Sequence, residues 1–166
     1  LKSLFKITCE LTFLDISMTE QNRFHDNPSG VITDTKLKNE WLPKDSWGDL
    51  GQWRTFDEAQ GYILTMNQVY AGGFCDWRLP TREEAESLFD SELNQKDWED
   101  ELVHINSLFV SKCAHFMWIK ETNDKQQASR INLRNGEVEW VDRNTREHQS
   151  ARLVRDTKSI RVAGDI

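Results

Sequence analysis

Apolar positions change their spacing several times along the chain, and each change marks a different kind of element. Phe24 is followed by His25-Asp26-Asn27-Pro28-Ser29-Gly30, a run of turn formers, and then by Val31-Ile32-Thr33, which is β-branched throughout. That order predicts a hairpin near the start of the folded region. Glu40-Trp41-Leu42 reads as another short strand. Pro43 ends it, because proline has no N–H to give to a ladder. Trp47, Gly48, Gly51 and Trp53 follow without a period, so residues 44–53 read as an ordered loop pinned by tryptophans.

The spacing then becomes helical. Thr55-Phe56-Asp57-Glu58 is a capping box, in which the Thr55 hydroxyl accepts from the Glu58 N–H and the Glu58 carboxylate accepts from the Thr55 N–H. Phe56, Ala59, Ile63 and Met66 form one apolar stripe, which predicts a helix over 56–69 stopped by Gly72-Gly73. Thr81-Arg82-Glu83-Glu84 repeats the box directly after Pro80, and Ala85, Leu88 and Phe89 supply the buried face of a helix over 82–93. Residues 91–113 are acidic and mixed, a long connection anchored by Trp98, Val103, Ile105, Leu108 and Phe109.

The last third reads as antiparallel sheet. Phe116-Met117-Trp118-Ile119 fits a central strand, Ser129-Arg130-Ile131-Asn132-Leu133 alternates, and Asn135-Gly136 predicts a two-residue hairpin turn into Val138-Glu139-Trp140-Val141. Ala151-Arg152-Leu153-Val154-Arg155 alternates again and should rejoin the sheet. The expected class is α+β, two helices packed on a small twisted antiparallel sheet with long ordered loops.

Length and composition narrow this further. A chain of 166 residues suits one core, and seven Trp and eight Phe against two Tyr make much of the stabilising area aromatic. A net charge of −7 argues against nucleic acid as the main partner, since phosphate binding needs a dense basic surface. The acidic excess lies in the first 125 residues, whereas the remainder is slightly basic. Cys9, Cys75 and Cys113 are odd in number and sparse, unlike a disulfide scaffold, and are expected to be reduced thiols. Cys75, between Phe74 and Asp76-Trp77, reads as a small buried residue, and a Cys75–Cys113 bridge stays open for an oxidising compartment.

Charges interrupt the apolar residues of 1–17, so neither a signal peptide nor a membrane span is expected, and Lys6 argues against a lipoprotein site at Cys9. The expected location is cytoplasmic, with a periplasmic or extracellular one left open if the natural N-terminus is missing. Met18 is a candidate natural start, which divides the chain into an extension or added strand (1–21), a domain (22–156) and a tail (157–166).

Chemistry is sparse. His25, His104, His115 and His148 form no helical metal-binding spacing, and Cys113 with His115 is only an i, i+2 pair. No cofactor and no metal is expected. The best recognition surface is the C-terminal hairpin, with Arg130, Arg134, Trp140, Asp142, Arg143, Asn144 and Arg146, because guanidinium groups and an indole suit carboxylates, sulfates, sugar faces or a protein hot spot. The competing reading puts Trp140 in the core and the arginines on solvated edges. Trp47 and Trp53 form a second candidate patch or serve as loop anchors.

Taken in order, Thr55-Phe56-Asp57-Glu58-Ala59, Asp76-Trp77-Arg78-Leu79-Pro80-Thr81, the aromatic strand at Phe116, the Asn135-Gly136 hairpin and Ala151-Arg152-Leu153-Val154-Arg155 resemble the Lcl C-terminal domain family over about 22–156. The resemblance implies a C-type-lectin-like fold, related to the formylglycine-generating enzymes, and a non-catalytic domain that binds a protein or glycan. Within it, Asp76, Trp77, Arg78, Leu79, Pro80, Thr81 and Glu84 form a strand-to-helix motif of architectural role, with Arg78 as an ion-pair or carbonyl-binding residue. Those enzymes use thiols near the C-terminal end, but no cysteine follows Cys113, which removes the central residue of an oxidase reading. Calcium-dependent sugar loops of C-type lectins have no counterpart, and Trp140-Val141-Asp142 carries an apolar residue at the ligand position. Two departures from the family, Phe116-Met117-Trp118-Ile119-Lys120 for a Trp-Ser-like run and Leu153 for a frequent proline, weaken any binding role tied to those positions. An alternative is a structural subunit of a homo-oligomer or larger complex, with residues 1–17 as a docking strand.

Overall fold

The computed structural model describes residues 23–157, so the expectations for 1–21, Met18, Cys9 and 158–166 lie outside the described residues. The predicted hairpin forms, with β1 (Phe24–Asp26) antiparallel to β2 (Ile32–Asp34), and β3 (Asn39–Trp41) adds to β2. The loop expected at 44–53 contains a helix, α1 (Ser46–Leu50). Asp45 caps its start by accepting from the Gly48 N–H, and Gly51 at φ 63° ends it by donating to Trp47. Five residues are too few to show a period, although the Asp cap and Gly stop were both in the sequence.

α2 (Phe56–Gln68) carries its capping box as predicted. Its buried stripe runs through Phe56, Ala59 and Tyr62, while Ile63 and Met66 pack only partly. The Tyr62 hydroxyl donates to Asp49 at 2.6 Å, which satisfies the polar end of a ring that is otherwise buried. A 3₁₀ turn (Ala71–Gly73) leads into the Asp76–Pro80 segment and α3 (Arg82–Leu88), again with a complete capping box. α3 is shorter than the predicted 82–93, because Phe89 is extended, with its ring against His104 and beside Gly136, and the Asp90 N–H donates to His104.

A ribbon of β4 (Gln95–Lys96) and β5 (Leu102–Val103) lies in the long connection. Val103, Ile105 and Phe109 anchor it as expected, but Leu108 is exposed. β6 (Phe116–Thr122), β7 (Gln127–Asn132), β8 (Val138–Asp142) and β9 (Gln149–Ser150) form a sheet ordered β8-β7-β6-β9, in which β9 is parallel to β6. β10 (Val154–Asp156) joins the first sheet instead, giving β1-β2-β3-β10. The architecture is α+β, with two four-stranded sheets and a ribbon where the sequence suggested one small sheet.

The sheet containing β6 is buried on both faces. Met117, Ile119 and Ile131 face a core shared with Ala85 and Leu88 of α3, whereas Trp118 and Ala128 face a second core with Phe56 and Ala59 of α2. That explains why Phe116–Ile119 reads as a continuous apolar run and why α2 and α3 sit on different cores. Ala151–Arg155, expected to alternate, is buried at every position because it crosses from one sheet to the other. The Asn135-Gly136 turn differs as well: Ile131 pairs with Val138 and the Asn132 N–H donates to Glu137, so the loop spans 133–136. Only Gly136 has positive φ, 79°, whereas the predicted two-residue turn needs two such residues. A Cβ on Gly136 would also meet the Phe89 ring at 2.9 Å.

Candidate recognition site

The hairpin residues singled out from sequence do not share one surface. Strand pairing sets Arg130 opposite Glu139 and Trp140 opposite Ser129, so Arg130 and Trp140 point to different faces. Arg130 is buried, lies 3.7 Å over the Phe116 ring, and pairs with Glu139 at 2.6 Å. Arg134, at the turn, donates to Asp97 at 2.7 Å and Glu99 at 2.6 Å. Arg143 and Arg146, past the other end of β8, pair with Asp57 and Glu58 in the first turn of α2. Asp142 accepts from the N–H of Asn144 and shapes that turn. Trp140 is 41% exposed, so the core reading of that residue does not hold. Cys75 is exposed rather than buried, and Cys75 and Cys113 are both free thiols.

What the fold does bring together is an aromatic cluster drawn from three separate stretches of chain. Trp47 of α1 and Trp53 stack at 3.8 Å with planes 6° apart, and Trp98 meets both edge-on. His148 packs against Trp53 at 5.0 Å and Trp98 at 4.7 Å, and lies 5.6 Å from His115. The three indoles and His148 are each half-buried. Their outer surface therefore faces solvent while their backs are held.

The support beneath this cluster is polar and ordered. Trp98 Nε1 donates to His115 Nδ1 at 3.1 Å, which fixes that nitrogen as an acceptor and leaves the proton of the neutral ring on Nε2. Burial, reinforced by the Arg134 guanidinium, lowers the His115 pKa to about 4 against the opposing pull of Asp97. Asp97 is fully buried, and it accepts from Arg134 and from the N–H groups of Glu99 and Glu101, so the loop presenting Trp98 is clamped on both sides. His148 has φ 64°, uncommon for a residue with a side chain. Neighbouring Gln149, fully buried, holds that bend by accepting from the Glu147 N–H and donating to Thr145. On the α1 side, Asp45 Oδ2 accepts from Ala114 N–H and the Ser150 hydroxyl, tying the base of α1 to β9.

Sequence reading named Trp47 and Trp53 as a pair but had no means to add Trp98 and His148, which lie 45 and 95 positions beyond Trp53. The Cys113–His115 pair does not form a reactive couple. Burial pushes the Cys113 thiol pKa up, and the thiol donates to the Val110 carbonyl at 3.0 Å. Among the described residues there is no group of three or more His, Cys, Asp or Glu placed to hold a metal, and no helix long and apolar enough to cross a membrane.

The Asp76–Glu84 segment joins the two halves of the fold. Asp76 pairs with the buried Arg155 at 2.6 Å, and Glu40 meets the same guanidinium. Trp77 is held by both its backbone groups on the Asn67 amide, and its indole donates to the Ala71 carbonyl. Arg78 exchanges backbone hydrogen bonds with Val154 and forks onto Glu84, with a further bond to Asp156. Leu79 is core, Pro80 accepts from the Lys120 N–H, and Thr81 with Glu84 completes the cap of α3. Burial disfavours the Glu84 carboxylate, yet Arg78 and the Thr81 N–H together keep its pKa below the usual range.

Comparison with curated proteins and with solved structures gives no match. The sequence model of the Lcl C-terminal domain matches residues 30–155, a span that takes in the Asp76–Glu84 segment and every member of the aromatic cluster. On that match, which covers most of its length, the chain belongs to the Lcl C-terminal domain family.

Proposed function

We propose that this is a non-catalytic recognition domain of C-type-lectin-like architecture, whose ligand, a glycan or a protein segment, packs on the indoles of Trp47, Trp53 and Trp98 beside His148. The observation that carries the reading is the partly exposed aromatic surface supported from behind by a clamped polar layer. Rigid indoles with polar edges give large contact area at small entropic cost, and they suit the apolar face of a sugar ring. The acidity of the chain disfavours polyanionic glycans, so a neutral glycan fits the site best. The raised thiol pKa of Cys113 is opposite to what a thiolate nucleophile needs, which argues against that residue in covalent catalysis.

The test is an array of neutral oligosaccharides probed with the full chain, with Trp53→Ala and with Trp140→Ala. One glycan class should be retained, at least about tenfold more weakly by Trp53→Ala and unchanged by Trp140→Ala. A blank array would shift the ligand to a protein segment. Retention indifferent to Trp53→Ala, in a variant with native near-ultraviolet circular dichroism, would remove the aromatic cluster as the site.

A further inference from the structure

A second concavity lies away from the indoles, between α2, the Arg78–Leu79 segment and the end of β6. It is an open groove of about 550 Å³, a size within the range of small-ligand sites. Phe56, Ile63 and Leu79 give it an apolar floor, and Arg78, Lys120 and Arg143 surround that floor with three cationic side chains and no carboxylate in the lining. The chain as a whole has net charge −7, so a wall of this sign is local.

The cations are not equivalent. Arg78 is engaged by Glu84 and Asp156 and is committed to the fold. Arg143 reaches the exposed Asp57 through Nη2, while its Nε is buried and has no hydrogen-bond partner among the described residues. Lys120 has no ion-pair partner among the described residues. Its placement also follows from a break in the ladder. The register between β6 and β7 shifts between Trp118 and Thr122, and the Lys120 N–H leaves the sheet to donate to Pro80 at 2.9 Å. Such irregularities re-aim a side chain, and here Lys120 is turned to the rim of the concavity. Gln60 and Thr122, also in the lining, have side chains without hydrogen-bond partners among the described residues.

We infer that this concavity binds an organic carboxylate with an apolar body. The body packs on Phe56, Ile63 and Leu79, and the carboxylate accepts from Lys120 and from Arg143, whose outer bond to Asp57 is solvent-exposed and exchangeable. Gln60 and Thr122 supply the neutral polar contacts. The same chemistry is offered by a free short-chain acid and by the C-terminal residue of a peptide.

Both sources can be tested with full-length protein labelled with nitrogen-15, titrated with hexanoate, with N-acetylleucine and with N-acetylleucinamide. Saturable shifts of the Ile63, Lys120 and Arg143 amides are expected with at least one acid at concentrations up to about 10 mM. The amide, equal in shape but uncharged, should bind at least about tenfold more weakly, and Lys120→Met should weaken the acid by a similar factor with its melting temperature unchanged. Hexanoate binding alone identifies a free acid as the source, and N-acetylleucine binding alone identifies a chain terminus. Equal binding of acid and amide, acid binding unaltered in Lys120→Met, or no saturable shift with either acid overturns the inference.

Discussion

At the scale of single residues, ionised groups are used chiefly as fasteners. Arg155 is 1% exposed and holds Asp76 and Glu40 at once, linking β10, β3 and the Asp76–Pro80 segment. Removing the guanidinium takes a shared, buried hydrogen-bond donor from Asp76 and Glu40 at once. Arg155→Met is therefore expected to lose about 3 kcal/mol of stability, read as a fall in the urea midpoint at constant slope. Arg155→Lys should recover only part of it, since an ammonium cannot serve both carboxylates with a fork. His115 makes a different prediction. Its folded pKa of about 4 lies below the ordinary value of 6.5, so the unfolded chain takes up a proton first as pH falls. The neutral ring's contribution is complete above about pH 6.5 and is lost progressively down to about pH 4. Stability curves at pH 7 and pH 5 should diverge less in His115→Gln than in the parent. The sequence showed Arg78 as a structural fastener but gave no sign of Arg155 as its equal, because a basic residue near the end of an alternating run looks like any solvated edge.

At the scale of elements, the local signals were the most legible. Both capping boxes form with both of their hydrogen bonds, because each involves groups only three residues apart and needs no tertiary help. Thr81→Ala should cost about 1 kcal/mol by removing the acceptor for the Glu84 N–H. Glu84→Gln should cost more than that, since the same carboxylate also receives Arg78. Comparison of thermal midpoints for the two variants checks the order. Where element readings fell short, a distant contact had intervened. α3 stops at Leu88 because Phe89 is drawn to His104 and Gly136, and the 133–136 loop is set by the same ring. α1 escaped notice because a helix of five residues has caps but no stripe.

At the scale of the whole molecule, Ala151–Asp156 is the seam. β9 pairs with β6 in one sheet, and four residues later β10 pairs with β3 in the other, with Leu153 in one core and Val154 in the other. Leu153→Asp should abolish cooperative folding, seen as loss of the near-ultraviolet signal and a broad, sloping denaturation curve, since a buried unpaired charge would sit where the halves meet. The sequence by itself determined the α+β class, the N-terminal hairpin, two capped helices and the strands of the last third, because periodicity and capping act within a few residues. Tertiary structure alone decided that Ala151–Arg155 serves two sheets and that the hairpin arginines each meet a carboxylate from a distant or facing segment. It also decided that Trp47, Trp53, Trp98 and His148 share one surface. Those outcomes depend on which stretches of chain meet across tens of residues, and neither spacing nor propensity along a single segment carries that information.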